Sequence, residues 1–315
     1  MLAAEPRSFM DDLPPALVIA WVGAIGLFVG SFLNVVVYRL PRNCLSINKP
    51  KRSFCPQCKT QLTMKDNIPV FGWVLLGGKC RYCKKPYSIR YPAVELLTGL
   101  LFSLTVWRFI YDGGSLAGSG TAWLAAFSVI VMICVLLPMS LIDLEMRQIP
   151  DTLSLGALMV FVPLAANPAT MEAGLPGDVS ALVFDSLPRW LNGIVSALLA
   201  GVVAAGFLWL MGKVGNVLFR KRTEAVGGSS MGFGDVKLML LLGVMLGWPK
   251  LVGAFFVAIF AGVAIGIPRR MIDREAHGVP FGPFLALGAL ASMLATPQMV
   301  AFYEWYMNFI QGAAR

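Results

Sequence analysis

Long uncharged stretches recur along the chain and predict helices that cross a membrane. The first runs from Ala16 to Tyr38, 23 positions without a charge, enough for one helical crossing of a hydrocarbon core about 30 Å thick. Predominantly apolar stretches predict seven further spans at about 92–111, 121–142, 152–171, 190–212, 238–248, 251–267 and 279–301. The sixth is short, so we expect it to begin before Leu238 and to take in part of the segment MGFGDVK. The fold class is therefore an all-α polytopic membrane protein with about eight transmembrane helices.

The two ends of the chain differ from these spans. Residues 1–15 carry Glu5, Asp11 and Asp12 against a lone Arg7, which is the wrong sign for the basic start of a cleaved signal peptide. We therefore expect this segment to stay in the mature chain. The aromatic stretch FYEWYMNFI, beginning at Phe302, is typical of an interfacial anchor rather than of a ninth crossing.

Composition and charge support the membrane assignment. The chain of 315 residues is 57% hydrophobic and 14% charged, whereas soluble domains carry roughly 25% charged residues, so a soluble globular enzyme is excluded. The net charge of +9 is concentrated in residues 39–91, where twelve Lys and Arg face one acid, Asp66. The rest of the chain is slightly acidic. The basic segment predicts contact with anionic lipid headgroups and gives no indication of a nucleic-acid partner.

The distribution of charge predicts how the chain is oriented. Basic loops stay in the cytoplasm, so residues 39–91 lie there and the N-terminus lies outside. Alternation over eight spans then puts Arg147, the run Arg220–Arg222 and the pair Arg269 and Arg270 on the cytoplasmic side. The same alternation puts the acidic stretch with Glu172, Asp178 and Asp185 outside. We expect three regions: residues 1–38, the cytoplasmic loop 39–91 and the transmembrane region 92–315.

The cytoplasmic loop contains two cysteine pairs with metal-ligand spacing. The motifs CPQC and CRYC supply Cys55, Cys58, Cys80 and Cys83, with 21 residues between the pairs. Four thiolates in two tight turns can complete a tetrahedral zinc shell of the zinc-ribbon kind, and such a site is structural because no coordination position stays open. The spacer is slightly longer than the usual zinc-ribbon range, which does not prevent closure because it can form a hairpin. We expect the metal to supply the folding free energy of the loop. The alternative is four free or disulfide-paired cysteines. Cys44 and Cys134 stand apart.

Two aspartates lie at predicted membrane edges on the same side of the bilayer. Asp143 follows 22 uncharged residues at the end of the third span, and Asp235 lies where the sixth begins. Acids near hydrocarbon are costly and often functional. Two neighbouring carboxyls can divide the roles of base toward water and acid toward a carbonyl oxygen, which is the chemistry of aspartic peptide hydrolysis. Alternatively, both acids only reach the aqueous interface or cap helices.

The neighbours of these acids carry further expectations. Gly232 and Gly234 would let a substrate backbone approach and let the first turn of the span take unusual dihedrals. Asp151, after Pro150 and before the fourth span, stands where a helix N-cap belongs. Lys237 would pair with Asp235 or meet lipid phosphates.

Taken together, these motifs resemble the type IV prepilin peptidases of bacterial pilus and type II secretion systems. The resemblance runs through GSFLNVVVYRLP, CPQC, DNIPVFGWVLLGGKCRYC, RYPAVELLTGLL, LIDLEMRQIPD, GFGDVKL and VPFGPFLALGA. It implies an integral membrane GxGD-type aspartic peptidase of the bacterial inner membrane, with Asp143 and Asp235 as the catalytic pair. Members often read DxDHxxLPD, whereas this chain has Glu145 and Met146 at the second Asp and the His.

The resemblance also implies the substrates and a second activity. It implies removal of the basic leader of prepilins or pseudopilins after glycine, then N-methylation of the new terminus with S-adenosylmethionine as donor. The presence of the full cysteine-rich loop favours the methylating form of the family. Arg90 and Glu95 of RYPAVE are candidate contacts for leader or donor. Their alternatives are anchoring of topology by Arg90 and an interhelical polar contact by Glu95.

Two other classes of protein remain open on the residues alone. A proton-coupled transporter or channel would use intramembrane acids as a relay and the zinc loop as a docking module. It would also be expected to place polar residues near the midplane in two related halves, yet the acids here stand at one edge and no internal repeat is evident. A structural subunit of a secretion machine would need no acid pair.

Overall fold

The chain is helical, as the hydropathy pattern predicts. The computed structural model describes residues 13–42, 53–112, 120–167, 187–218, 232–272 and 279–295. We number its helices α1 (Pro15–Arg39), α2 (Phe71–Leu75), α3 (Arg90–Val106), α4 (Gly120–Met146), α5 (Asp151–Ala165), α6 (Arg189–Leu218), α7 (Phe233–Leu246), α8 (Trp248–Ile272) and α9 (Gly282–Leu294). Each of the eight predicted spans overlaps one helix of this series, and α2 is an additional short helix within residues 39–91.

Within the described residues, five stretches are long and apolar enough to cross a membrane. They are Pro15–Arg42, Arg90–Tyr111, Gly120–Met146, Arg189–Leu218 and Lys250–Arg269. Many of their large apolar side chains face outward, among them Trp21, Phe28 and Phe260, as expected of a surface solvated by lipid. Helices α5, α7 and α9 are shorter, so the number of crossings stays a prediction.

The sixth predicted span begins earlier than its hydropathy indicates. Helix α7 starts at Phe233 and so includes Asp235, as expected from the shortness of the apolar run. It ends at Leu246 because Gly247 takes a φ of 70°, a conformation that glycine adopts without strain. Helix α8 follows at once from Trp248.

The chain divides into two compact units, Met1–Cys134 and Val135–Arg315, with the boundary inside α4. In the first unit α1 packs against α3 through small residues. A Cβ added at Gly26 would lie 2.8 Å from the Cα of Gly99, and one added at Gly30 would lie 2.7 Å from the Cα of Glu95. Glycines spaced in this way allow two helix backbones to approach closely within a membrane. The close approach brings the end of α1 beside the start of α3.

In the second unit α7 is the central helix. It contacts α5, α6, α8 and α9, and its residues from Leu241 to Leu246 are all buried. It approaches α6 closely, because Gly243 faces the backbone of Gly201 with no room for a Cβ. Asp235 thus stands in the first turn of the helix that the rest of the unit surrounds.

Several expectations fall on residues outside the described part of the chain. These are the N-terminal segment, Cys44, the acidic stretch with Glu172, Asp178 and Asp185, the run Arg220–Arg222 and the anchor from Phe302. They stay predictions.

Candidate active site and tetracysteine module

Asp143 is a buried carboxylate in the last turn of α4. The whole residue is 6% exposed. The Oδ2 atom of its carboxylate is buried without a hydrogen-bond partner among the described residues. The helix ends just beyond it: the Arg147 N–H bonds the Asp143 carbonyl oxygen at 2.9 Å, and Arg147 takes a φ of 54°. The unpaired Oδ2 atom of Asp143 calls for an explanation, because buried polar atoms in native folds normally have a hydrogen-bond partner.

Asp235 lies in the first turn of α7, three residues after the N-cap Gly232. Its N–H bonds the Gly232 carbonyl oxygen at 3.2 Å. The N-terminal turn of a helix stabilises a carboxylate through its unpaired N–H groups and its dipole. The two acids lie close enough for the charge of Asp143 to act on Asp235. The structure therefore brings the sequence-predicted pair together within one compact unit.

A third residue adjoins the pair and was not a candidate from the sequence. Gly282 begins α9 and lies directly against Asp143, so that an added Cβ would be 2.5 Å from Oδ2 and 3.2 Å from Cγ. It belongs to the segment VPFGPFLALGA, one of the motifs that resemble the prepilin peptidases, but no role was assigned to any residue of that segment. Because glycine has no titratable group, no chemical signal pointed to it.

The two glycines before Asp235 matter because they lack a side chain, and neither takes an unusual backbone conformation. The expectation of unusual dihedrals is wrong: Gly232 has φ −69° and ψ 139°, and Gly234 is helical, conformations open to any residue. A Cβ at Gly232 would lie 3.5 Å from Asp235 Oδ2, and one at Gly234 would lie 3.4 Å from the side chain of Ile149. Gly232 therefore keeps the space beside the carboxylate open, whereas Gly234 packs beside Ile149.

The structure also corrects the expectations for Asp151 and Lys237. The N-cap of α5 is Pro150, and Asp151 is the first helical residue and makes no capping bond. Its Oδ1 atom instead accepts a hydrogen bond from Lys237 Nζ at 2.7 Å, so Lys237 does not pair with Asp235. Both side chains are substantially exposed, at 38% for Lys237 and 60% for Asp151. Asp151 thus stands in a surface ion pair between α5 and α7.

The four cysteines of the loop converge on one point. Their sulfur atoms all lie within 4.8 Å of one another, with Cys55 Sγ and Cys83 Sγ 3.9 Å apart. Zn–S bonds of about 2.3 Å in a tetrahedron separate sulfurs by about 3.8 Å. The spacing and the donor set therefore fit a tetrahedral zinc ion, with Cys134 outside the cluster.

The two cysteine pairs sit in turns of the same construction. The Lys59 N–H bonds the Cys55 carbonyl oxygen and the Lys84 N–H bonds that of Cys80, while Lys59 and Lys84 both take a φ of 58°. The spacer between the pairs takes a different form from the hairpin considered above: it holds a 3₁₀ turn at Lys65–Asn67 followed by α2. Glycine at positions 77 and 78, both with positive φ, then leads into the second turn.

Asp66, the only acid of the loop, fixes this spacer. Its carboxylate accepts hydrogen bonds from the N–H and the hydroxyl of Thr63 at 3.2 and 2.7 Å, and it pairs with Arg81 Nε at 2.6 Å. Burial opposes the charge, but these bonds outweigh it and lower the pKa of Asp66. The acid therefore joins the spacer to the second cysteine turn.

Glu95 and Arg90, the two residues proposed as contacts for leader or donor, have different surroundings. The carboxylate of Glu95 is mostly buried, with 9% exposure of the residue, and its Oε2 accepts the Val70 N–H at 2.7 Å. Arg90 carries its guanidinium 5.4 Å from the ring centre of Tyr91. Glu95 thus joins α3 to the cysteine module, and its carboxyl group also interacts with the side chain of Ser31 on α1, which is the interhelical polar contact considered above.

Comparison with known proteins covers nearly the whole chain. The profile of the bacterial peptidase A24 N-terminal domain matches residues 24–109, and that of the type IV leader peptidase family matches residues 130–267. A prepilin leader peptidase/N-methyltransferase of Burkholderia pseudomallei strain 1026b is 32% identical, over 92% of this chain and 90% of the relative. Proteins with the same description from Pectobacterium carotovorum and Pseudomonas aeruginosa are 30% and 31% identical, and cover 90% and 96% of this chain and 98% of each relative. No solved structure gives a significant match.

Proposed function

Because the chain belongs to the type IV leader peptidase family, we propose that it is an integral membrane aspartic peptidase of the GxGD type. It removes the basic leader of type IV prepilins or pseudopilins after glycine and N-methylates the new terminus. The observation that carries the peptidase chemistry is the pair of carboxyls, Asp143 and Asp235, held within electrostatic range at the ends of two helices.

The two carboxyls have complementary tasks in the proposed cleavage. One, as carboxylate, takes a proton from the attacking water, and the other, as carboxylic acid, gives a proton to the carbonyl oxygen of the scissile bond. The unpartnered Oδ2 of Asp143 is consistent with this role, since substrate or water would provide the missing partner. The absence of a side chain at Gly232 leaves room beside the Asp235 carboxylate for an extended peptide.

The tetracysteine module has a structural task. Cys55, Cys58, Cys80 and Cys83 would hold one zinc ion with no open position for substrate. The ion would order a loop with few buried apolar side chains, because metal binding and folding of small modules are one event. The basic residues around it face the lipid headgroups of the cytoplasmic leaflet.

Methylation requires a donor, and S-adenosylmethionine supplies an electrophilic methyl group whose C–S bond breaks as the amine nitrogen of the new terminus forms its bond to carbon. The names of the relatives support this activity. The orientation deduced above would present both the acid pair and the cysteine module to the cytoplasm, where the donor is found.

Co-expression with a prepilin tests the proposal. A peptidase removes the leader, which a gel resolves, whereas a transporter, channel or structural subunit leaves the prepilin intact. Purified protein mixed with prepilin and S-adenosylmethionine should yield a product whose mass corresponds to the mature chain plus one methyl group. Uncleaved prepilin under both conditions would contradict the peptidase assignment, and a cleaved product without the added methyl group would contradict the transferase assignment.

A further inference from the structure

An open cleft lies in the unit Met1–Cys134 where the cytoplasmic end of α1, the start of α3 and the cysteine module meet. Its empty space, counted out to the mouth and so including open solvent, is about 870 Å³. Neither Asp143 nor Asp235 is among the residues that line it. The lining residues of the cleft have no assigned part in the proposed acid-pair chemistry.

The walls of the cleft are rich in aromatic rings contributed by all three parts. They are Tyr38, Phe54, Trp73, Tyr87 and Tyr91. Such rings stack on flat heterocycles and attract cations over their faces. Two of them already receive a cation, since Arg42 lies 4.4 Å from the ring centre of Tyr38 and Lys59 lies 5.6 Å from that of Phe54. The surface therefore suits a ligand with a planar base and a positive charge.

Buried polar groups stand among these rings. Asn34 is 4% exposed; its Nδ2 donates to the Tyr91 carbonyl oxygen at 3.0 Å, while its Oδ1 is buried without a partner among the described residues. Glu95 adds a carboxylate to the lining, held by the Val70 N–H. Arg39, 3% exposed, lines the same cleft. One acceptor, one anion and one cation therefore face a common space.

The cysteine cluster fixes one wall of the cleft. The hydroxyl of Tyr87 is buried and lies beside the thiols of Cys80 and Cys55. The ring therefore links the sulfur cluster to the cleft. Closing the cluster around a metal would order Tyr87 and, with it, that side of the wall.

We propose that this cleft is the binding site of the methyl donor, S-adenosylmethionine. The inference rests on the proposed methyltransferase activity and assigns it a place. The donor combines a planar purine, which the aromatic walls suit, with a sulfonium and an ammonium group, which Glu95 and the open acceptor of Asn34 suit. Its carboxylate matches Arg39, since a guanidinium is the usual partner of a carboxylate. Of the two earlier candidates, Glu95 is retained and Arg90, which does not line the cleft, is not.

The test uses the full-length protein in lipid nanodiscs and measures binding of S-adenosylmethionine and of the product S-adenosylhomocysteine by calorimetry. Glu95→Gln keeps the size of the side chain and an acceptor for the Val70 N–H but removes the charge. Asn34→Leu removes the unpaired acceptor. We expect each variant to bind S-adenosylmethionine about tenfold more weakly, because each loses a hydrogen bond or ion pair to a charged group. Glu95→Gln should affect the uncharged sulfur of the product less.

Thr105→Val is the matched control. Thr105 is fully buried on the same helix as Glu95, donates its hydroxyl to the Leu101 carbonyl oxygen at 2.7 Å, and lies outside the cleft. It should bind the donor as the unchanged protein does. Leader cleavage measured in parallel should be unaffected in all three variants, and the zinc content should stay the same.

A second measurement needs no substitution. Hydrogen exchange of the unchanged protein should slow in residues 66–76 and 31–39 when S-adenosylmethionine is added, because these segments line the cleft. Protection elsewhere, or variants that bind the donor normally, would overturn the site while leaving the proposed function standing. Absence of any donor binding by the unchanged protein would overturn both. If a variant loses zinc, the exchange experiment alone decides.

Discussion

Gly282 and Asp143 are in direct contact, although 138 positions separate them in the sequence: a Cβ on the glycine would lie 2.5 Å from the carboxylate oxygen Oδ2. The start of α9 therefore limits where the Asp143 side chain can go. An acid that must meet both water and a scissile bond gains from such a wall, since catalytic groups work only within narrow limits of position.

We predict that Gly282→Ala lowers kcat/KM for leader cleavage on the order of a hundredfold, because the added methyl group displaces the carboxylate of Asp143. Gly206→Ala is the matched control, since a Cβ at that helical position meets no atom within 4 Å. It should cleave normally and be slightly more stable, because alanine favours a helix. Normal cleavage by Gly282→Ala would show that the contact has no bearing on the reaction.

Asp143→Asn and Asp235→Asn should each abolish leader cleavage while the protein still inserts and accumulates, because an amide can neither accept nor supply the required proton. The readout is the gel mobility of a co-expressed prepilin. Asp151→Asn is the control: its surface pair with Lys237 is worth at most about 1 kcal/mol, and cleavage should continue. Substantial processing by either of the first two variants would remove that residue from the pair.

Metal analysis of purified protein should find one zinc ion per chain. Replacing one cysteine in each pair, as in Cys55→Ser with Cys80→Ser, should lose the ion and loosen the loop, because two thiolates are too few to hold zinc. Cys134→Ser, which changes a cysteine of α4 outside the cluster, should keep the metal. The prediction fails if no zinc is found and all four thiols react freely with alkylating reagents in the native protein.

Single cysteines placed beside the acids should report the side of the membrane. Leu144→Cys and Phe233→Cys suit this purpose because both positions are well exposed next to Asp143 and Asp235. In a background that keeps the four cluster cysteines, they should react with impermeant thiol reagents in inverted vesicles and not in intact spheroplasts. Trp190→Cys, at the predicted outer end of α6, should react in the reverse pattern. Labelling of the first two in spheroplasts would contradict the predicted orientation.

The sequence was informative wherever a property is carried by neighbouring residues. The positions of α1 and α3 to α9 follow from hydropathy because a membrane helix must be apolar along its own length. The cysteine cluster follows from spacing, since each pair lies in one tight turn. Even the early start of α7 at Phe233 could be predicted, because the apolar run alone was too short.

Contacts between distant positions could not be predicted in this way. Lys237 pairs with Asp151, 86 positions away, although Asp235 lies much nearer in the sequence. The role of Gly282 depends on its contact with a side chain of another helix and leaves no chemical signature. The wrong expectation for Gly232 and Gly234 has a related cause. A glycine in a sequence can indicate either that a side chain would not fit or that the backbone takes a conformation other residues avoid, and only the structure distinguishes the two.

The glycine contact between α1 and α3 has a consequence for how this protein can be divided. Because Gly26 and Gly30 bring the two helices together under the cysteine module, side chains from both, Asn34 and Glu95, form part of the surface on which the module rests. A soluble fragment of residues 53–89 would keep all four thiols but lack the surface that α1 and α3 provide. The smallest fragment that keeps the module together with its supporting surface therefore consists of α1, the cysteine module and α3. A chimera between relatives should exchange these three parts together.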